Sequence, residues 1–289
     1  MIDLLLSLRP KQWTKNFFVF AGIIFSLEFF QLAPLLKVID AFIIFCAISS
    51  AMYLINDVKD LEFDKKHPLK KLRPIASGKV STSLAISFAL LLILTALPIS
   101  FWLNASFGWV IAAYILLMLS YSFFLKNMVI LDVFSIAAGF VLRAIAGVVV
   151  IEVILSPWLV ICTILLALFI ALGKRRHELL TLDLAGEHRK ILDEYNPRLL
   201  DQLISAVAGS TVMAYALYTL WPETITKFGT KNLVYTIPFV LYGIFRYLYL
   251  IYKKEEGGQP ERTLLSDPPL LIDIVLWIAA LAVIIYTNI

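Results

Sequence analysis

The chain has 289 residues, of which 61% are apolar and only 16% charged, with a mean hydropathy of +0.87. Soluble domains are roughly half apolar and a quarter charged, which excludes a water-soluble globule, a disordered chain and a secreted disulfide scaffold. The net charge of +4 is too small to imply a nucleic-acid partner, so the informative feature is where the charges sit.

A bilayer-spanning helix needs roughly 20 mostly apolar residues to cross about 30 Å of hydrocarbon. In chain order the sequence offers nine such runs: 16–35, 38–56, 82–102, 107–125, 130–151, 155–173, 203–221, 232–251 and 270–287. The runs are continuous and long, which predicts an all-α integral membrane protein rather than a barrel of alternating strands. An amphipathic stretch, Met1–Lys15, precedes the first run, and no small-residue cleavage site follows it. The run is therefore read as a retained helix, not a signal peptide. With nine spans, 21 of the 25 Lys and Arg residues fall on the side that carries the N-terminus, counting Arg246 near that end of the eighth run. The positive-inside rule makes that side cytoplasmic and the protein a multi-pass resident of the plasma membrane. Sixteen of the 21 acidic residues lie on the same side. Acidic residues contribute little to topology, so their concentration there calls for a chemical reason. No soluble domain or repeat interrupts the helices, and residues 1–289 read as a single transmembrane domain.

The second run ends abruptly in Asn56-Asp57-Val58-Lys59-Asp60-Leu61-Glu62-Phe63-Asp64. Asn56, Asp60 and Asp64 drift only about 40° per step on a continuing helix, so they share one face, and Asp57 joins it. Four hard oxygen donors at a membrane boundary suit Mg²⁺, which takes one or two carboxylates together with substrate phosphates. The bland alternative is a solvated acidic helix end. A cationic segment follows, from Lys65 to Lys79. In it Arg73 is the best phosphate ligand because its planar fork matches phosphate geometry.

Further along, Arg143 lies inside the fifth run, where a cation is costly and usually faces a polar cavity. Asp132, three turns earlier, is on nearly the same stripe, with Gly139 and Gly147 flanking Arg143. A structural arginine is the competing reading. The loop from Lys174 to Asp201 carries six basic and six acidic residues. Lys174, Arg175 and Arg176 are candidate anion contacts there, and Glu178 and Asp183 candidate metal or ribose partners. A charged surface helix explains the same residues. Gln12 and Lys15 lie one turn apart near the first run, where Lys15 either reaches a phosphate or marks the boundary. The histidines show no zinc-ligand spacing. Cys46 and Cys162 read as small buried hydrophobes, and Asn104-Ala-Ser106 as an accidental sequon.

Nine runs with NDxxDxxxD after the second resemble the UbiA-like superfamily of membrane prenyltransferases over essentially the whole chain. Within it, the chain looks most like the polyprenyl-phosphate phosphoribosyltransferases, the decaprenyl-phosphate type. The segments that carry this likeness are Arg9-Pro10-Lys11-Gln12-Trp13-Thr14-Lys15-Asn16, Tyr121-Ser122 with Leu125-Lys126, Leu142-Arg143-Ala144 with Gly147, and Gly173-Lys174-Arg175-Arg176 with Glu178. The resemblance implies a UbiA-like helical bundle with Mg²⁺ on Asn56, Asp57, Asp60 and Asp64, Asp57 and Asp60 being catalytic. It implies substrate phosphates on Gln12, Lys15, Arg73, Lys126, Arg143, Lys174 and Arg175. Tyr121, Asp132, Arg176 and Glu178 then line the site. Asp183-Leu-Ala-Gly-Glu187 departs from the second DxxxD motif of prenyltransferases with aromatic acceptors. The implied reaction moves 5-phosphoribosyl from phosphoribosyl pyrophosphate to a membrane polyprenyl phosphate, releasing pyrophosphate at the cytoplasmic face. The alternatives are prenyl transfer to an aromatic acceptor or, in another class, a transporter, which would place more polar residues at mid-bilayer.

Overall fold

The computed structural model describes residues 2–181, 190–254, 257–258, 260, 263 and 266–287, and every regular element among them is helical. The chain divides into two compact units, Met1–Leu155 with Leu182–Glu194, and Ser156–Thr181 with Tyr195–Ile289. Eight helices among the described residues are long and apolar enough to cross a membrane.

The first unit opens with α1 (Ile2–Ser7), a 3₁₀ segment (Pro10–Phe20) and a single turn, α2 (Ala21–Ile24). The long helices of this unit are α3 (Leu32–Lys59), α5 (Thr82–Leu103), α6 (Ala105–Phe123) and α7 (Leu131–Val150), with a short α4 (Leu61–Lys66) after α3. The expected count of nine spans is not reached, because residues 16–35 do not form one continuous helix. The long helix starts only at Leu32, and Pro34, which has no N–H to donate, sits in its first turn, where that donor would have no intrahelical partner. Upstream, the backbone is held in the tighter 3₁₀ form from Pro10 onward, and its buried Asn16 is tied to Ser49 Oγ at 3.2 Å.

Apolar packing explains the rest of this unit. Val38, Ala41, Phe45, Ile48 and Leu54 of α3 are buried with Ala85 and Ala89 of α5 and with Phe107, Ile111 and Tyr114 of α6. The alanines let helices approach closely, which matters where lipid removes the usual hydrophobic drive between helices. Asn104 caps α6 by accepting from the Phe107 N–H at 3.0 Å, and its amide donates to Glu152 at 3.1 Å, so the sequon asparagine is a capping residue.

Gly147 of α7 meets the 3₁₀ segment backbone to backbone, since a Cβ there would collide with the Val19 carbonyl. Gly22 has the reciprocal role, because a Cβ on it would sit 2.9 Å from the Val148 nitrogen. Gly147→Ala is therefore expected to lower the apparent melting temperature in detergent by about 5 °C or more. Gly209→Ala, with nothing within 4 Å of the added carbon, serves as the neutral control.

The second unit contains α8 (Pro157–Thr181), α9 (Pro197–Leu220), α10 (Pro222–Phe228), α11 (Ile237–Lys253) and α12 (Pro268–Tyr286). Asn196 and Asp267 cap α9 and α12 through the Leu199 and Leu270 N–H groups, each immediately before a proline at the first helical position. α8 packs along α9, and α11 along α12. The Tyr215 hydroxyl joins three elements, bonding Thr236 at 2.7 Å and accepting from Trp277 Nε1 at 3.0 Å.

Candidate functional site: an acidic helix end bound to three cations

Asn56 and Asp57 lie in the last turn of α3, where the chain leaves the apolar core. Asp60 stands at the junction of α3 and α4 with φ −93° and ψ 8°, and the backbone bonds Asp60 N–H to Asn56 C=O and Asp64 N–H to Asp60 C=O carry the helical path through it. The i, i+4, i+8 spacing therefore survives the junction. The Asn56 amide donates to Asp60 Oδ2 at 3.1 Å, while Asn56 Oδ1 is buried with no hydrogen-bond partner among the described residues. Asp57 and Asp64 are almost fully buried.

Three cations from three other parts of the first unit converge on these carboxylates. Arg73, just after the 3₁₀ turn Lys70–Leu72, donates from Nη1 to Asp57 at 3.1 Å and to Asp64 at 2.5 Å, bridging α3 to α4. Arg9 pairs with the same Asp57 oxygen and lies over the Tyr53 ring at 5.0 Å. Lys126, on a 3₁₀ turn directly after α6, pairs with Asp60 Oδ1. Three carboxylates thus face three cations.

Burial pushes the Asp64 carboxyl above its ordinary value, against the pull of Arg73 and Lys70. Burial works against charge at Arg9 too, but Asp57 outweighs it and holds the guanidinium above its ordinary value. Arg9 has φ 54° and ψ 60°, a left-handed conformation that a non-glycine residue adopts only when its surroundings impose it.

Of the residues expected from sequence, Asn56, Asp57, Asp60, Asp64, Arg73 and Lys126 come together here. Tyr121 is half-buried in the last turn of α6, and Gln12 and Lys15 are half-buried on the 3₁₀ segment. Asp132 is fully buried in the first turn of α7.

Arg143 has a different environment from the expected phosphate ligand. It is 4% exposed and donates to Asn16 Oδ1 at 2.7 Å, the Gly139 carbonyl at 2.8 Å and the Tyr114 hydroxyl at 2.7 Å. The rings of Tyr114, Phe140 and Phe45 surround its guanidinium at 4.7 to 5.8 Å. Its fork thus ties α7 to the 3₁₀ segment and α6, and not to Asp132.

In the second unit, Arg175 is 1% exposed and paired with Glu178, one turn on in α8. Arg176 donates to Asp201 of α9 at 2.6 Å and lies 4.3 Å from the Tyr252 ring centre. Lys174 precedes them on α8. Asp183 and Glu187 fall outside the described residues.

Arg9 is the site residue that sequence reasoning missed. Its partner Asp57 lies 48 residues away, and the available signals were its place in the Arg9–Asn16 segment that carries the family likeness and its position just before the proline that starts the 3₁₀ segment.

The donor chemistry suits a divalent ion: four neighbouring side chains carry hard oxygens, and the orphaned Asn56 oxygen has no other use in view. Among the described residues, however, no three acidic, His or Cys side chains are already grouped as metal ligands. One oxygen of each of Asp57, Asp60 and Asp64 is turned toward Arg9, Arg73 or Lys126 instead.

An all-helical chain with several bilayer-length apolar helices and a polar cluster at the end of one of them is a multi-pass membrane protein. Residues 16–266 match the UbiA prenyltransferase family. The chain belongs to that family and is one of its membrane transferases. It is 36% identical to a decaprenyl-phosphate phosphoribosyltransferase of Mycolicibacterium smegmatis, across 99% of this chain and 93% of the relative. To the protein of that name from Corynebacterium glutamicum it is 34% identical, across 97% and 86%. Its fold is similar to that of a UbiA homolog from Archaeoglobus fulgidus bound to DMAPP and Mg²⁺, with a TM-score of 0.75, 17% identity and coverage of 98% and 99%.

Proposed function

We propose that this protein transfers 5-phosphoribosyl from phosphoribosyl pyrophosphate to a membrane polyprenyl phosphate, releasing pyrophosphate. The observation that carries the reading is the acidic end of α3 with Arg9, Arg73 and Lys126 within bonding reach of it. Oxygen donors edged by cations are what a metal-bound diphosphate requires. The two relatives named decaprenyl-phosphate phosphoribosyltransferase support this choice of donor and acceptor.

Asn56, Asp57, Asp60 and Asp64 would hold Mg²⁺, which when bound supplies charge stabilisation to the departing diphosphate. Arg73 and Lys126 bind the diphosphate oxygens and orient them. The C1–O bond of the donor breaks toward that diphosphate. A phosphate oxygen of the acceptor forms the new bond to C1 from the opposite face, giving inversion. The acceptor is already ionised, so no general base is needed, and none is required of this chain. The work of its residues is positioning and offsetting repulsion between two anionic substrates. Gln12 and Lys15 of the same unit are assigned to substrate phosphates, and Tyr121 and Asp132 to the lining. Residues 1–289 act as one domain in the plasma membrane, with the N-terminus and the site facing the cytoplasm.

The test supplies purified protein and Mg²⁺ with phosphoribosyl pyrophosphate labelled in the ribose, with and without polyprenyl phosphate. The expected result is labelled lipid and pyrophosphate in equal amounts, only when both substrates are present. Prenyl transfer from a prenyl diphosphate to an aromatic acid, with no labelled lipid, would overturn the assignment.

A further inference from the structure

The inference rests on the metal site proposed above and concerns how that site is filled. A carboxylate oxygen that accepts a charged hydrogen bond is not available to a divalent ion at the same lone pair. Asp57 Oδ1 carries both Arg9 and Arg73, Asp64 Oδ2 carries Arg73, and Asp60 Oδ1 carries Lys126. One oxygen of every carboxylate of the cluster is therefore engaged by a cation, and Asp57 and Asp64 are buried besides.

We propose that Arg9, Arg73 and Lys126 compete with the divalent ion for the acidic cluster and move to phosphate oxygens when the donor diphosphate arrives, so that metal and donor bind with positive coupling. The charges give the reason. A divalent ion entering alone adds two positive charges beside three cations whose anionic partners it takes. A diphosphate entering alone meets three carboxylates. Together they exchange partners with little change in net charge: the carboxylates pass to the metal and the cations to the diphosphate. Linkage then requires each ligand to raise the affinity for the other by the same factor.

Arg9 is the informative member. It belongs to the turn between α1 and the 3₁₀ segment, away from the NDxxDxxxD run. Its left-handed backbone and its seat on Tyr53 aim the guanidinium at Asp57. Removing its charge leaves Asp57 with less compensation, which favours any other cation that can reach it.

The full-length protein in nanodiscs is titrated with Mn²⁺ alone, bound ion being read by electron paramagnetic resonance. Retention of radiolabelled pyrophosphate is then measured at saturating Mn²⁺. Arg9→Gln is expected to tighten Mn²⁺ binding by about tenfold and to weaken pyrophosphate retention by a similar factor. Arg9→Lys, which keeps the charge, stays near wild type in the first measurement. Lys126→Gln repeats the signature from the other side of the cluster if Arg9→Gln does not fold. Mn²⁺ affinity that is unchanged or weaker in both charge-removing variants overturns the competition. Tighter Mn²⁺ with unchanged pyrophosphate retention overturns the transfer of the cations to phosphate. Asp60→Asn separates the two levels. If Mn²⁺ binding ignores Asp60→Asn as well, the metal lies elsewhere and the underlying reading falls. If it responds to Asp60→Asn but not to the loss of either cation, the coupling alone falls.

Discussion

Asp60→Asn protein is expected to insert and fold, yet to turn over about a thousandfold more slowly than wild type. Asp60 is the most accessible carboxylate of the cluster, its side chain 25% exposed, so losing its charge puts little strain on the bundle. An asparagine there can still accept from Asn56 and from Lys126 through its amide oxygen. What disappears is one anionic oxygen donor at the centre of the i, i+4, i+8 face. A site that acts by holding charge in place has no substitute for that donor. The check is initial rate at saturating donor and acceptor, alongside a melting curve in the same detergent. Turnover within tenfold of wild type would remove the metal assignment. A fall in melting temperature of about 10 °C would instead make Asp60 a structural residue.

The second large effect is expected on stability. Arg143→Leu should lower the apparent melting temperature by about 10 °C, from a loss of roughly 3–5 kcal/mol at a few degrees per kcal/mol. Three donors of Arg143 satisfy Asn16, Tyr114 and the Gly139 carbonyl within an aromatic cage. A leucine fills part of that volume but leaves two buried side-chain oxygens without donors. Arg143→Lys retains the charge and loses the fork, so it is expected to recover only part of the deficit. Scanning fluorimetry on the three proteins reads this directly. Unchanged melting with abolished turnover would return Arg143 to the substrate.

These two residues also divide what was legible in advance from what was not. The Asn56–Asp64 face could be read from spacing because helical periodicity is a local property, and a single turn at Asp60 does not disturb it. Arg143 stood out for an equally local reason, a cation within an apolar run. Its partners could not be read, since Asn16 is 127 residues away and Tyr114 is 29. The first expected span has different bounds in the structure. Its apolar content satisfied a hydropathy reading, but within 16–35 only Asn16–Phe20 continue the 3₁₀ segment, tethered at Asn16 and packed on Gly147, and a separate helix already begins at Leu32.

Composition by itself determined that this protein lives in a bilayer as a helical bundle, because long apolar runs have no other way to satisfy their backbone there. Helical spacing likewise determined that four oxygen-bearing side chains share the end of α3. Only the tertiary structure decided which cations meet them. Lys126 reaches Asp60 across 66 residues and Arg9 reaches Asp57 across 48, and such pairings depend on how helices pack. A charge's partner is set by distance in space, and the order of residues along the chain does not contain that distance.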